Sequence, residues 1–213
     1  MLLNYKPEDV LILSPYNVGE FGTYAINEKI QSIHNPLLPK HHQVSYKRNG
    51  YIINFRVGDK VLNTVNWYNA MSYSEYIKIK NQNFDNDDYE EDREKYRVDI
   101  MNGAFGKVVE IVDGCVIVEF DDGTVVYDNS NIKKLILGNA CSTHKSQGNQ
   151  ADAVISIIHS QHEKMLHRAL IYVANSRAKK KLIEIGDYNV INRALEIVVT
   201  NDRNTFLKEL LKG

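Results

Sequence analysis

Four short, mostly apolar runs constrain this chain more than any other feature: Val10-Leu11-Ile12-Leu13, Leu135-Ile136-Leu137, residues 153–158 and residues 181–185. A strand buried on both faces reads as such a run, as it does in a parallel sheet covered by helices. Helical spacing follows where a crossover is needed. A helix is expected to start at Thr23, with Tyr24, Ile26, Ile30 and Ile33 at roughly helical spacing, and Asn35-Pro36 ends that helix. A second helix is expected over 163–176, striped by Met165, Leu166, Ala169, Leu170 and Val173, with further helical stretches at 190–198 and 204–211. Strands alternating with helices predict an α/β domain on a parallel sheet.

The middle of the chain follows another pattern. Residues 55–62, 106–112, 115–120 and 124–127 read as short strands, with Asp113-Gly114 and Asp122-Gly123 as hairpin signals at the junctions. Together they predict a small β barrel over 51–134, inserted into an α/β domain made of 1–50 and 135–213. Residues 37–50 read as a polar connector containing the Lys47-Arg48-Asn49-Gly50 turn. His41 and His42 are adjacent, so they cannot share one face of an element to hold a metal. Residues 66–99 read as a long surface loop, with Trp67 and tyrosines near Lys78 and Lys80. Its acidic run from Asp85 to Asp92 disfavours phosphate.

A formal net charge of -1 excludes a globally basic nucleic-acid binder, so any such surface must be local. Cys115 and Cys141 lie in or beside apolar runs without metal spacing and read as free thiols of a cytoplasmic protein. No run approaches the ~18 residues of a membrane span, and the first residues lack a signal-peptide pattern, so no membrane partner is expected.

The candidate ligand loop is Thr143-His144-Lys145-Ser146-Gln147-Gly148. It lies between buried runs, where an α/β sheet places loops that meet ligands. Its hydroxyls, imidazole, ammonium and carboxamide suit phosphate and sugar oxygens better than proton transfer. A phosphate-cradling loop of the G-x-x-x-x-G-K-[ST] kind is missing. The nearest approach, residues 102–108, has the wrong glycine spacing, and Val108 has no hydroxyl for Mg²⁺. His159, His162 and His167 do not form a zincin pattern and read as surface or helix-start residues, and no clustered carboxylates support a nuclease.

In this order the pieces resemble the C-terminal part of a superfamily 1 DNA helicase of the RecD/TraI-like type, over most of the chain. Ser14-Pro15 with Gly19, Gly22, Ala25, Asn27, Gln31 and Asn35-Pro36 resembles the strand, loop and helix that open the family's second RecA-like lobe. Residues 55–61, then Asn102-Gly103 and Gly106, resemble the start of the SH3-like barrel inserted into that lobe. Ser142 through Gly148 resembles helicase motif V, and residues 172–179 resemble motif VI. The resemblance implies a RecA-like (P-loop NTPase-like) parallel sheet flanked by helices, with a small inserted SH3-like β barrel.

The resemblance also implies roles. Ser14, Pro15, Thr143, His144, Lys145 and Ser146 would contact single-stranded DNA. Gln147, Gly148 and Gln150 would face the nucleotide, with Arg177 as an arginine finger to the γ-phosphate. A guanidinium suits that task because it is always charged and forks onto phosphate oxygens. ATP and Mg²⁺ are implied for the full-length protein, with none bound by this chain alone, because the Walker A lobe is missing. The implied partners are that N-terminal lobe, single-stranded DNA and other recombination or repair subunits of an exodeoxyribonuclease V-like complex, with movement 5′ to 3′. Asn17 and Val18 stand where the family has basic residues, Gln150 where it has glutamate, and Asn175-Ser176 where it has an apolar-Thr pair. The competing expectation is a non-catalytic module that binds nucleic acid or protein through its β part.

Overall fold

A computed structural model describes residues 5–39, 42–81 and 96–198. His41, the acidic run and the stretch 204–211 lie outside the described residues. A 3-10 turn at Pro7–Asp9 leads into β1 (Val10–Ser14), α1 (Thr23–His34), β2 (Gln43–Arg48), β3 (Tyr51–Arg56), β4 (Lys60–Asn63), β5 (Trp67–Met71), α2 (Tyr73–Lys80) and β6 (Arg97–Ile100). Then come β7 (Phe105–Val112), β8 (Cys115–Phe120), β9 (Gly123–Tyr127), β10 (Leu135–Leu137) and β11 (Ala140–Ser142). The described chain finishes with β12 (Ala151–Ile158), α3 (Arg168–Asn175), β13 (Ala178–Gly186) and α4 (Tyr188–Glu196).

Four strands form an all-parallel sheet in the order β11-β1-β12-β13. The apolar run of β1 is therefore central, with Leu11 and Leu13 buried, as its unbroken hydrophobicity implied. Five strands form an antiparallel sheet in the order β10-β4-β7-β8-β9. Asp113 and Gly114, both at positive φ (51° and 76°), turn β7 into β8, as the hairpin signal predicted. One continuous core runs from Leu11, Leu13 and Val154 of the first sheet to Val61, Val118 and Leu135 of the second, and takes in Phe55 of β3. A smaller core under α3 and α4 gathers Ile158, Leu166, Leu170, Ile171, Val190 and Ala194.

Five expectations change. The run Leu135–Leu137 belongs to the antiparallel sheet, paired with β4 from Leu135↔Asn63 to Leu137↔Val61. The strand that delivers the candidate loop is β11, because Gly138 turns the chain there. A Cβ on Gly138 would lie 2.8 Å from the Val61 backbone. The connector 37–50 holds β2, which pairs with β3 around an Asn49-Gly50 turn at φ 50° and 85°. The stretch 66–99 is folded at both ends, as β5 and α2 on one side and β6 on the other. Ser72 caps α2 by accepting from Glu75 N at 3.1 Å. The helix expected over 163–176 is two pieces, a 3-10 segment Ser160–Met165 and α3, because the His167 ring accepts from Leu170 N (3.2 Å) and starts a new helix. The last change concerns α1.

The buried face of α1 is Thr23, Tyr24, Asn27 and Gln31, whereas Ile33 is 65% exposed. Tyr24 joins the apolar core, but Asn27 and Gln31 meet polar groups instead of an apolar layer. As the outer strand of the parallel sheet, β11 turns the amide and carbonyl of Ala140 away from β1. Asn27 closes both, accepting from Ala140 N (2.8 Å) and donating to Ala140 O (2.7 Å), and it also donates to Leu137 O (3.1 Å). One carboxamide thus does for the sheet edge what another strand would do. Asn27→Leu removes these bonds and leaves a buried N–H unmatched. The expected cost is about 2 kcal/mol, read as a lower urea midpoint at unchanged slope.

Candidate functional site

The parallel strands end together. Ser14 of β1 and Ser142 of β11 are register partners at their carboxyl ends, which is where loops of an α/β sheet meet ligands. The loop after β1 folds on itself. Ser14 Oγ donates to Phe21 O at 2.6 Å, Thr23 N to Tyr16 O at 3.0 Å and Tyr24 N to Asn17 O at 3.1 Å. Gly22 is required there, since a Cβ would lie 2.4 Å from Val18 O. Ser14 and Pro15, expected at a DNA strand, are both buried, and the Ser14 hydroxyl is directed into its own loop. They shape the loop that the strand would meet.

The hexapeptide 143–148 forms the crossover from β11 to β12 and is wound as turns. Ser146 N donates to Ser142 O (3.1 Å), and Ser146 Oγ donates to Thr143 O (2.7 Å). Thr143 and Ser146 are consequently buried, at 2% and 0% exposure. His144, Gln147, Gly148 and Gln150 are exposed, and Gly148 sits at φ 87°. Lys145 is half-buried. Burial, then the positive charge of Arg48, pushes its ammonium below the usual lysine value, with Cys141 acting the other way. The structure thus divides the expected contact residues into a presented set, His144 with Lys145, and an enclosed set, Ser14, Pro15, Thr143 and Ser146.

Arg177 follows α3 and stands at the start of β13, beside the start of β12, where Ala151 pairs with Ala178. Its guanidinium donates to Val173 O (3.1 Å), Asn149 O (3.4 Å) and Ser176 Oγ (3.0 Å). All three acceptors are neutral, and among the described residues Arg177 makes no ion pair with a carboxylate. Ala151 N in turn donates to Arg177 O at 3.0 Å. The crossover and the arginine are therefore in direct contact. Asn149 makes that link, and sequence reasoning missed it. Its side chain also donates to Gly103 O at 2.9 Å, tying the crossover to the turn before β7. Only the run of motif residues ending at Gly148 hinted that the next position mattered.

An aromatic group stands beside these loops. Phe21 stacks on His159 (centroids 4.2 Å), and Tyr16 meets His162 at 5.4 Å. His159 and His167 are helix starts, as expected, each accepting a backbone N–H. His162, expected at the surface or a helix start, is only 2% exposed, because it closes over Tyr16. Burial, then His159, lowers its pKa, so the ring is neutral near pH 7. No group of three or more His, Cys, Asp or Glu with metal-holding geometry occurs among the described residues.

A family model, the UvrD-like helicase C-terminal domain, matches residues 137–183, the stretch that holds the crossover and Arg177. The ATP-dependent RecD2 DNA helicase of Deinococcus radiodurans is 26% identical over 213 residues, covering 97% of this chain and 24% of that protein. The RecBCD enzyme subunit RecD of Mycolicibacterium smegmatis is 34% identical over 101 residues, covering 47% of this chain and 18% of that protein. The chain thus spans about a quarter or less of the curated relatives it matches. Among solved structures, a Bacteroides Pif1 helicase in complex with ADP-AlF3 and single-stranded DNA aligns at TM-score 0.49 and 18% identity, over 91% of this chain and 46% of that one. The Pif1 helicase of Candida albicans aligns at TM-score 0.47 and 16% identity, over 100% and 51%.

Proposed function

We propose that this chain, related to the C-terminal region of superfamily 1 RecD-like helicases, is the part of an ATP-driven DNA motor that holds the single strand and answers to the nucleotide. The observation that carries this reading is the bond from Arg177 to the Asn149 carbonyl, which joins the crossover to the candidate finger. A shift of the crossover against a strand moves the carbonyl on which the guanidinium rests, and the reverse holds equally. Coupling of this kind is what a translocating motor needs.

His144 and Lys145 are the side chains offered to the strand, and Thr143, Ser146, Ser14 and Pro15 hold the loops that offer them. Gln147, Gly148 and Gln150 lie on the exposed run toward Arg177 and suit the nucleotide side. The residues fit the γ-phosphate end of ATP, since the Arg177 guanidinium rests on neutral acceptors and no carboxylate pairs with it among the described residues. When bound, the nucleotide supplies phosphoryl-transfer chemistry, and Arg177 would stabilise the charge that develops on the transferred group. The described residues offer no carboxylate cluster for Mg²⁺, which belongs with the Walker A lobe in this proposal. The antiparallel sheet is read as the inserted SH3-like barrel, the movement as 5′ to 3′, the location as cytoplasmic, and the setting as recombination or repair with further subunits.

ATP hydrolysis by this chain alone should not rise above background when single-stranded DNA is added, because a complete cleft needs both lobes. A phosphate-release assay with saturating oligothymidylate checks this. DNA-stimulated turnover by the isolated chain would overturn the division of labour proposed.

A further inference from the structure

We propose that Asn149 is a positioning residue through which the antiparallel sheet sets Arg177 for the nucleotide. The proposal rests on the reading of Arg177 as the finger, and it names the part of the chain that keeps the finger's support in place. Three bonds leave Asn149 toward three pieces of the fold. Its amide donates to Ser146 O within the crossover (3.0 Å), its carbonyl accepts from Arg177 Nη1 (3.4 Å), and its carboxamide donates to Gly103 O (2.9 Å). The first bond is local and moves with the crossover. The third fastens the same residue to the turn between β6 and β7, which belongs to the other half of the molecule. A carboxamide suits this post, because it donates to a carbonyl without placing a charge beside the guanidinium.

The turn is a firm anchor. Asn63 of β4 is fully buried, and its carboxamide donates to Ile100 O (3.2 Å) and Met101 O (3.0 Å). The Asn63 carbonyl accepts from Gly103 N at 2.8 Å, and the Tyr127 hydroxyl of β9 donates to Asn63 Oδ1 at 3.3 Å. Two strands of the antiparallel sheet therefore hold the turn. Gly103 is buried at φ 91°, and a Cβ there would lie 3.4 Å from Asn149 Nδ2 and 3.6 Å from Lys145 O, so the turn lies directly against the crossover. On the other side, Arg177 takes Val173 O and Ser176 Oγ from its own stretch of chain, and Asn149 O is the support that comes from the crossover. Gly148, exposed and at φ 87°, gives the backbone room to turn just before Asn149. The bond to Gly103 O opposes that freedom. A displacement of about 1 Å in a group aimed at a reacting centre can cost about a hundredfold in rate, so holding this carbonyl matters to the chemistry.

Steady-state ATP turnover of the full-length protein at saturating oligothymidylate tests this. Asn149→Ala should lower kcat by about tenfold to a hundredfold and leave KM for ATP within about twofold, because the loss falls in the transition state. Asn149→Gln carries the same amide on a longer arm and should recover part of the rate. Added to Arg177→Ala, the change Asn149→Ala should cost less than about twofold more, since both act through one guanidinium. Losses that multiply in the double variant would assign Asn149 to structure and overturn the proposal. So would an Asn149→Ala loss carried by KM together with a lowered melting temperature. Unchanged turnover in Asn149→Ala, beside lost turnover in Arg177→Ala, would overturn the positioning role while leaving the finger standing. Unchanged turnover in Arg177→Ala would instead remove the functional reading beneath it.

Discussion

Arg177→Ala, made in the full-length protein, is expected to lower DNA-stimulated ATP turnover by about a thousandfold or more. Binding of single-stranded DNA and the melting temperature should change little. The fold depends weakly on this side chain, because its bonds run to Val173 O, Asn149 O and Ser176 Oγ, which are neutral and can turn to water. Their loss should cost about 1 kcal/mol. Lysine should rescue only part of the rate, since it restores the charge without the fork. Steady-state phosphate release at saturating oligonucleotide, beside a thermal melt, separates the outcomes. Turnover within about tenfold of the unaltered protein would dismiss the finger and favour a binding module. A collapsed melt would assign Arg177 to structure.

The largest loss of stability is expected at Asp59, which fastens the antiparallel sheet to α1. Its carboxyl is 4% exposed and accepts from Gln31 Nε2 (2.5 Å), Arg56 N (2.7 Å) and Asn35 Nδ2 (2.8 Å). Asp59→Ala strands these donors at the junction, at an expected cost of about 3–5 kcal/mol in chemical denaturation. The carboxyl also sets a pH dependence. Burial is the largest influence and raises its pKa, while the bonds from Asn35, Arg56 N and Gln31 and the Arg56 charge oppose the rise. The folded state therefore holds this proton to higher pH than the unfolded chain does. Between the ordinary carboxylate value and the raised one, the folded state binds more protons, so stability falls as pH climbs through that window. Asp59→Asn does not titrate and should flatten that part of the stability profile. A profile indistinguishable from the unaltered protein would reject the assignment.

Much of this arrangement was legible because it is local. The runs at β1 and β12 announced buried strands, and Asp113-Gly114 announced its hairpin through backbone conformation alone. Asn35-Pro36 marked the end of α1 for the same kind of reason, and the order of motifs pointed to the crossover and Arg177. The failures share one cause. The isoleucines of α1 suggested an apolar face, but the helix meets the unpaired edge of β11 at Asn27 and the Asn54 carbonyl and Asp59 carboxyl at Gln31, so these two are buried instead. His162 looked like a surface or helix-start residue; it does lie in the 3-10 segment Ser160–Met165, but it is buried against Tyr16. Leu135–Leu137 has the composition of a strand in either sheet, and only pairing with β4 decided between them.

By itself the sequence determined where strands and hairpins form, that a polar crossover would precede an arginine after a helix, and that no phosphate cradle accompanies them. Those features depend on hydrophobic period and on the conformations that glycine, asparagine and proline favour, all set within a few residues. The tertiary structure decided which polar side chains are presented and which are enclosed. It left His144 exposed and Lys145 half-buried, turned Ser14, Thr143 and Ser146 inward, and rested Arg177 on Asn149. A hydroxyl, carboxamide or guanidinium reads the same in sequence whether it meets water or a carbonyl, and only the folded neighbours choose between them.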